Sequence, residues 1–220
     1  GSAVNVTKIE ALPGGAVWLL TETEGAIRIA TNPEDYSLTS QWYSAQSGQF
    51  SATRVFGVYE DLSGNEWILS DNGLGMLAAG QTTPASYFVD AAEREKKGGQ
   101  AFYSCLEYDS EIYFGSDNGR VWCYQKENGQ FQLQNLPASS RIVSINSVEG
   151  NELIFTTAKD GFFSYQPKTK AIEHFPASHF PNASIHSVYV DKASEVWFEQ
   201  HIPGTVVHFN PRTRILKHEK

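Results

Sequence analysis

All six histidines of this 220-residue chain lie between His174 and His218, which is its most uneven local bias. Imidazole is the usual acid–base group near neutral pH and a common metal ligand, provided that several groups converge. His179 and His201 could meet on one loop rim, whereas His186, His208 and His218 are predicted on different strands. A catalytic histidine therefore stays an alternative, and ordinary surface or core histidines are the favoured interpretation.

A second set of side chains is of the kinds that bind sugars. Aromatic rings stack on pyranose faces, while carboxylates and guanidinium groups hydrogen-bond to hydroxyls. The candidate ligand-binding residues are Trp42, Tyr43, Arg54, Asp117, Arg141, His179, Phe180 and His201. The competing interpretation is that Trp42 and Tyr43 pack an outer strand and that the two arginines form ordinary surface pairs. As a set, these residues predict a ligand-binding face and not a defined site.

Composition narrows the possible partners. The chain has 17 Lys+Arg against 25 Asp+Glu, a formal net charge of −8, which argues against nucleic acid because phosphate binding needs clustered cations. Aromatic residues at 13% and charged residues at 19% are typical of a folded globular chain. Nothing in the spacing predicts a cofactor or a metal site. No run of about 18 apolar residues is present, so we expect membrane contact only through other parts of a parent protein.

The two cysteines are predicted to be free thiols. Cys105 falls on the first and Cys123 on the third predicted strand of one sheet. With one strand between them they would lie two strand spacings apart, roughly 9.6 Å, which is beyond the reach of a disulfide.

The elements that must position these residues recur along the chain. Each of five segments opens with a strand, turns tightly, and continues into a second strand that carries one large apolar residue, here called the anchor. The anchors are Trp18, Trp67, Tyr113, Ile154 and Trp197. A polar turn with a glycine follows each anchor, at Gly25, Gly73, Gly119, Gly161 and Gly204. Two further strands complete each unit, and helix signals are nearly absent.

A period of roughly 40–50 residues with four short strands is typical of a β-propeller blade. We therefore predict an all-β fold of four-stranded antiparallel blades, with about five blades present as part of a larger propeller. The predicted blades span residues 4–45, 53–99, 100–138, 140–177 and 183–220, and Gly1 and Ser2 are interpreted as an expression scar. An ordinary β-sandwich is the competing interpretation. An array that does not close would leave two apolar sheet faces exposed, and we then expect homo-oligomers.

The second repeat carries a family resemblance. It reads VFGVYEDLSGNEWILSDNGLGML from Val55 to Leu77 and resembles the two-component regulator propeller repeat. The fifth repeat is similar at 188–191, 195–198 and 208–213, and the fourth at 164–169, whereas the first and third repeats depart from the pattern in their first turns.

The resemblance implies a function. Such repeats form the periplasmic sensor region of hybrid two-component histidine kinases, which are receptors for saccharide fragments and signal through a membrane helix. The family usually has seven blades. The implied segment is non-catalytic, lies in the periplasm as part of an inner-membrane protein, and binds an oligosaccharide or another small ligand. At the level of single blades the family also resembles a propeller lyase that uses a histidine and magnesium, so a propeller lyase or hydrolase with a rim histidine is the second hypothesis. A purely structural dimerisation module is the third hypothesis.

Overall fold

The computed structural model describes residues 4–32, 34–88, 101–181, 184–200 and 205–219. Within them the chain forms five antiparallel sheets of four strands each, and in every sheet the strand order in space follows the order in the chain. The predicted all-β fold of four-stranded blades is therefore confirmed. The chain divides into two compact units, Gly1–Phe102 and Tyr103–Lys220, which are described separately. No helix in the described residues is long and apolar enough to cross a membrane.

The first unit contains two sheets. Sheet 1 consists of β1 (Val6–Ala11), β2 (Val17–Thr21), β3 (Ala26–Thr31) and β4 (Leu38–Tyr43). Sheet 2 consists of β5 (Val55–Glu60), β6 (Glu66–Ser70), β7 (Gly73–Leu77) and β8 (Ala85–Tyr87).

The other three sheets form the second unit, apart from the first residue of β9. Sheet 3 consists of β9 (Phe102–Tyr108), β10 (Glu111–Ser116), β11 (Val121–Gln125) and β12 (Gln130–Gln134). Sheet 4 consists of β13 (Ile142–Val148), β14 (Glu152–Thr157), β15 (Phe162–Gln166) and β16 (Ala171–Phe175). A short 3-10 helix, Ala177–His179, leads to sheet 5, which consists of β17 (Ile185–Val190), β18 (Val196–Gln200), β19 (Val206–Asn210) and β20 (Ile215–Glu219).

The anchors lie on the second strand of each sheet, as predicted. Trp18, Trp67, Tyr113 and Ile154 are completely buried, whereas Trp197 is half-buried. Large apolar side chains at this position remove apolar area from water, which stabilises the packing of each sheet.

The predicted glycine turns lie between the second and third strands. Gly25, Gly73, Gly119 and Gly161 have φ between 79° and 91°, a region that favours glycine. A Cβ added at Gly161 would lie 2.1 Å from the carbonyl oxygen of Phe175, so the turn also needs glycine because the backbone passes so close to it. Gly204 lies outside the described residues.

Neither cysteine forms a disulfide, which confirms the prediction of two thiols. Cys105 lies on β9 and Cys123 on β11, with β10 between them. Burial, followed by the nearby Glu111 carboxylate, raises the pKa of the Cys123 thiol to about 12. Cys123 therefore stays protonated and unreactive at neutral pH.

Candidate functional site

A cavity of about 530 Å³ lies in the second unit, between the segment that follows β16 and the last strand, β20. Ligand sites for small molecules commonly measure 300–1,000 Å³. The lining residues are Phe175, Ser178, His179, Phe180, Pro181, Arg214, Leu216 and His218. The space that these residues enclose is called the sheet 4–5 cavity.

The local fold places His179 and Phe180 at the cavity. The close approach at Gly161 fixes the path of the chain as it leaves β16, and the 3-10 helix follows at once. The amide of His179 donates to the carbonyl of Pro176 at 2.9 Å, and the amide of Phe180 donates to that of Ala177 at 3.0 Å. These bonds turn the chain so that the exposed imidazole of His179 and the ring of Phe180 face the same space.

Aromatic packing makes one wall of the cavity rigid. The ring of Phe175 stacks on Phe162 with centroids 4.5 Å apart and planes 4° apart. Phe180 meets Phe162 edge-on at 6.1 Å and Phe198 edge-on at 5.4 Å. Phe175 and Phe180 are each only 6% exposed, so they offer ring edges and small apolar patches to a ligand from fixed positions.

Arg214 also lines the cavity, and it joins sheets 4 and 5. It ends the tight β19–β20 turn with φ 61°, and its amide donates to the carbonyl of Asn210 at 2.9 Å. Its guanidinium donates to Glu152 at 2.6 Å and also to Glu173, and lies 5.2 Å from the centroid of the Phe175 ring. Burial disfavours its charge, but the two ion pairs outweigh burial and raise the pKa of Arg214. The side chain is therefore held in place as a permanent cation.

The cavity can bind a small ligand with both apolar and polar groups. Phe175, Phe180 and Leu216 supply apolar contact, while Ser178 and the imidazoles of His179 and His218 supply hydrogen bonds. Every ionisable residue in the lining is basic, in contrast to the net charge of −8 of the whole chain. Arg214 is already paired with carboxylates, so the exposed imidazoles are the polar groups best placed for a ligand.

The sequence candidates are not all equally accessible. Tyr43 is fully buried, with its ring centroid 5.0 Å from that of Trp18 and its hydroxyl donating to the carbonyl of Thr82 at 3.0 Å. It belongs to the core of the first unit and presents no ring face to a ligand. Trp42 is half-buried. Its side chain lies on the face of β4 that does not carry Tyr43, and its partner on the neighbouring strand β3 is Ile27.

The polar candidates lie outside the strands. Arg54 and Arg141 directly precede β5 and β13, and Asp117 lies between β10 and β11. Arg54 lies 5.3 Å from the centroid of the Phe56 ring, and Arg141 lies 4.8 Å from that of Tyr103. Asp117 is exposed in the β10–β11 turn. None of these three lines the sheet 4–5 cavity, and of the candidates that the structure describes only His179 and Phe180 do so. His201 lies outside the described residues.

Sequence reasoning missed Arg214, Leu216 and His218, which reach the cavity from the last strand and the turn before it. A signal for Arg214 was available. The turns Gln166–Lys170 and Asn210–Arg214 share a proline and a threonine at matching positions, and Lys170 and Arg214 both end their turns with positive φ. That match places a cation at the start of each outer strand.

Neither a protein-family model nor the sequence of a curated protein matches this chain. Solved structures do match in fold. The extracellular domain of BT4673 from B. thetaiotaomicron, described as a hybrid two component system, is similar with a TM-score of 0.72 and 16% identity over 99% of this chain. The extracellular domain of BT3049 from the same organism gives 0.72 and 16% over 98%. Virginiamycin B lyase from Staphylococcus aureus gives 0.73 and 17% over 99%.

The lengths of these proteins differ widely. The chain spans 31% of the BT4673 domain, 30% of the BT3049 domain and 72% of the lyase. At these identities the likeness is one of fold, and it includes extracellular domains of two-component systems as well as an enzyme.

Proposed function

We propose that this chain is a non-catalytic, ligand-sensing propeller segment of a hybrid two-component sensor histidine kinase. It lies in the periplasm as part of an inner-membrane protein. Two observations support the assignment: the fold likeness to the extracellular domains of BT4673 and BT3049, and the repeat of Val55–Leu77 that resembles the two-component regulator propeller repeat. Kinase activity would reside in other parts of the parent protein.

We further propose that the sheet 4–5 cavity binds a saccharide. The observation that carries this proposal is the cavity of about 530 Å³, whose lining combines fixed aromatic edges with exposed imidazoles. Sugars present apolar C–H faces and hydroxyls, which match that combination. Binding between two sheets also suits a receptor, because a ligand that favours one arrangement of sheets 4 and 5 shifts the population towards it.

Titration calorimetry of the 220-residue protein against plant, host and microbial glycans tests the proposal. We expect one class of glycan to bind, and His179→Ala and His218→Ala each to weaken binding roughly five- to tenfold through loss of a hydrogen bond. His186→Ala is the matched control, since His186 is an exposed histidine on β17 outside the cavity lining. The absence of binding to every glycan would contradict the saccharide assignment.

A propeller lyase is the second candidate, and the shared fold of virginiamycin B lyase is the observation that favours it. His179 or His201 would then act as the base. Turnover of a saccharide or cyclic ester by the purified chain, abolished by His179→Ala or His201→Ala, would favour the enzyme. Binding without turnover favours the receptor.

A further inference from the structure

One kind of interface between neighbouring sheets occurs in both units of this protein. The face of each sheet that carries the anchor is called the anchor face, and the opposite face is called the back face. In the first unit, Trp18 on the anchor face of sheet 1 donates its indole N–H to Glu66 of sheet 2 at 2.7 Å. The same core cluster contains Trp18 and Ile68, which lies on the back face of sheet 2. The anchor face of sheet 1 therefore packs on the back face of sheet 2.

The second unit repeats this arrangement twice. The ring centroids of Tyr113 on sheet 3 and Phe155 on sheet 4 are 6.1 Å apart. Ile154 on sheet 4 shares one core cluster with Val196 and Phe198 on sheet 5. Each time, an anchor face meets the back face of the next sheet.

The back face of sheet 1 is also apolar, but it is only partly covered. Ile9, Leu19, Ile27 and Trp42 form one continuous row across its four strands. Ile9 is 65% exposed, and Leu19 is half-buried. At the positions of Leu19 in sheets 4 and 5, Phe155 and Phe198 are completely buried.

Sheet 5 has the complementary feature, a partly covered anchor face. Tyr189, Trp197, His208 and Lys217 form the corresponding row across its strands. Tyr189 is 64% exposed, and Trp197 is half-buried although the other four anchors are completely buried.

The anchor of sheet 5 is nevertheless held in a fixed position. The Trp197 ring stacks on His208 with centroids 4.2 Å apart and planes 15° apart, and its indole N–H donates to Asp191 at 2.9 Å. His208 in turn lies 2.7 Å from the carboxylate of Glu195. Trp197 is therefore a rigid apolar surface, and docking on it costs little side-chain entropy.

We propose that the back face of sheet 1 in one copy of this chain docks on the anchor face of sheet 5 in a second copy. These faces are the two halves of the interface that recurs between sheets 1 and 2, 3 and 4, and 4 and 5. Covering Ile9, Trp42, Tyr189 and Trp197 removes apolar surface from water, which drives association. The contact joins unlike faces, so it is heterologous and builds head-to-tail chains or closed rings of copies.

Two charge substitutions test the geometry, and the proposal does not depend on which ligand the cavity binds. Ile9→Glu places a carboxylate on the back face, and Tyr189→Glu places one on the anchor face; both side chains are well exposed, so the fold is kept. Leu62→Glu is the matched control, because Leu62 is 89% exposed on the β5–β6 turn and belongs to neither of the two rows of residues. The measurement is sedimentation velocity over a hundredfold range of protein concentration.

We expect the unchanged protein and Leu62→Glu to associate as concentration rises, and each face variant alone to stay monomeric. Mixing Ile9→Glu with Tyr189→Glu should restore association that stops at a 1:1 dimer, since one variant keeps its anchor face and the other its back face. A monomeric unchanged protein at every concentration would overturn the proposal without any variant. A mixture that stays monomeric, or a single face variant that associates normally, would also overturn it.

Discussion

Sheets 2 and 5 contain the same hydrogen-bonded arrangement in different surroundings. In each, an aspartate that follows the first strand accepts the indole N–H of the anchor tryptophan, and this arrangement is called the tryptophan clip. In sheet 2, Asp61 accepts the indole N–H of Trp67 at 3.0 Å and the amide of Asn65 at 3.0 Å. In sheet 5, Asp191 accepts the indole N–H of Trp197 at 2.9 Å and the amide of Glu195 at 3.0 Å.

The surroundings of the two clips decide how much each contributes. Trp67 is completely buried and Asp61 is 4% exposed, whereas Trp197 and Asp191 are half-buried. The local sequence determines the hydrogen bonds of the clip, and the burial of the tryptophan and the aspartate determines how much the clip contributes to stability.

The largest expected difference lies at the tryptophans. Trp67→Ala should lower the free energy of unfolding by about 3–5 kcal/mol, because it leaves a buried cavity. Trp197→Ala should lower it by roughly 1–2 kcal/mol, because the ring is already half in water. Denaturant unfolding of both variants at low protein concentration checks this. Equal losses would show that burial does not distinguish the two clips.

An intermediate effect is expected at the aspartates. Burial alone would raise the pKa of Asp61, but hydrogen bonds from Asn65, Trp67 and two backbone amides hold that pKa below its usual value. Asp61→Asn should cost about 1–3 kcal/mol at neutral pH, because the amide cannot accept all of these bonds. Asp191→Asn should cost less, since water reaches its site.

The same substitutions predict a pH dependence. A carboxyl group whose pKa is lowered by folding stabilises the protein above its unfolded pKa of about 4, and this contribution disappears as the pH falls through the folded pKa. Asp61→Asn should therefore reduce the loss of stability between about pH 5 and pH 2. Unfolding curves across that range test the sign, and an unchanged acid dependence would contradict the assigned role of Asp61.

The smallest effect is expected at the tyrosines that pair with the two anchors. Tyr59 lies opposite Trp67 and is half-buried, while Tyr189 lies opposite Trp197 and is 64% exposed. Tyr189→Ala should change the stability of the monomer by less than about 0.5 kcal/mol, and Tyr59→Ala should cost more. Thermal unfolding of the two variants in dilute solution makes the comparison, and a larger loss for Tyr189→Ala would reverse it.

The fold could be predicted from sequence because its determinants are local and repeated. An anchor, a tight turn and a glycine with positive φ recur in register, so each repeat supports the others. Burial of the anchors did not follow from the same pattern, since Trp67 and Trp197 occupy equivalent positions with different exposure.

The candidate site was harder to predict, because it depends on which strand faces meet. Trp42 and Tyr43 are adjacent on β4, so their side chains point to opposite faces, and only the structure places Tyr43 against Trp18. The cavity combines His179 and Phe180, which were candidate site residues, with Leu216 and His218 of β20, a strand that was predicted but was not expected to contribute to a site. His179 was accessible to sequence reasoning, whereas the role of Arg214 rests on Glu152 and Glu173 in another sheet.

The sheet 4–5 cavity is the place where we propose that this protein binds its ligand. The most direct test is NMR mapping of backbone amide shifts as a binding glycan is added to the 220-residue chain. We predict that the largest shifts occur at Ser178, His179 and Phe180 and at Leu216 and His218 on β20. Shifts centred instead on Arg54, Asp117 or Arg141, with the cavity residues unchanged, would show that the ligand binds elsewhere.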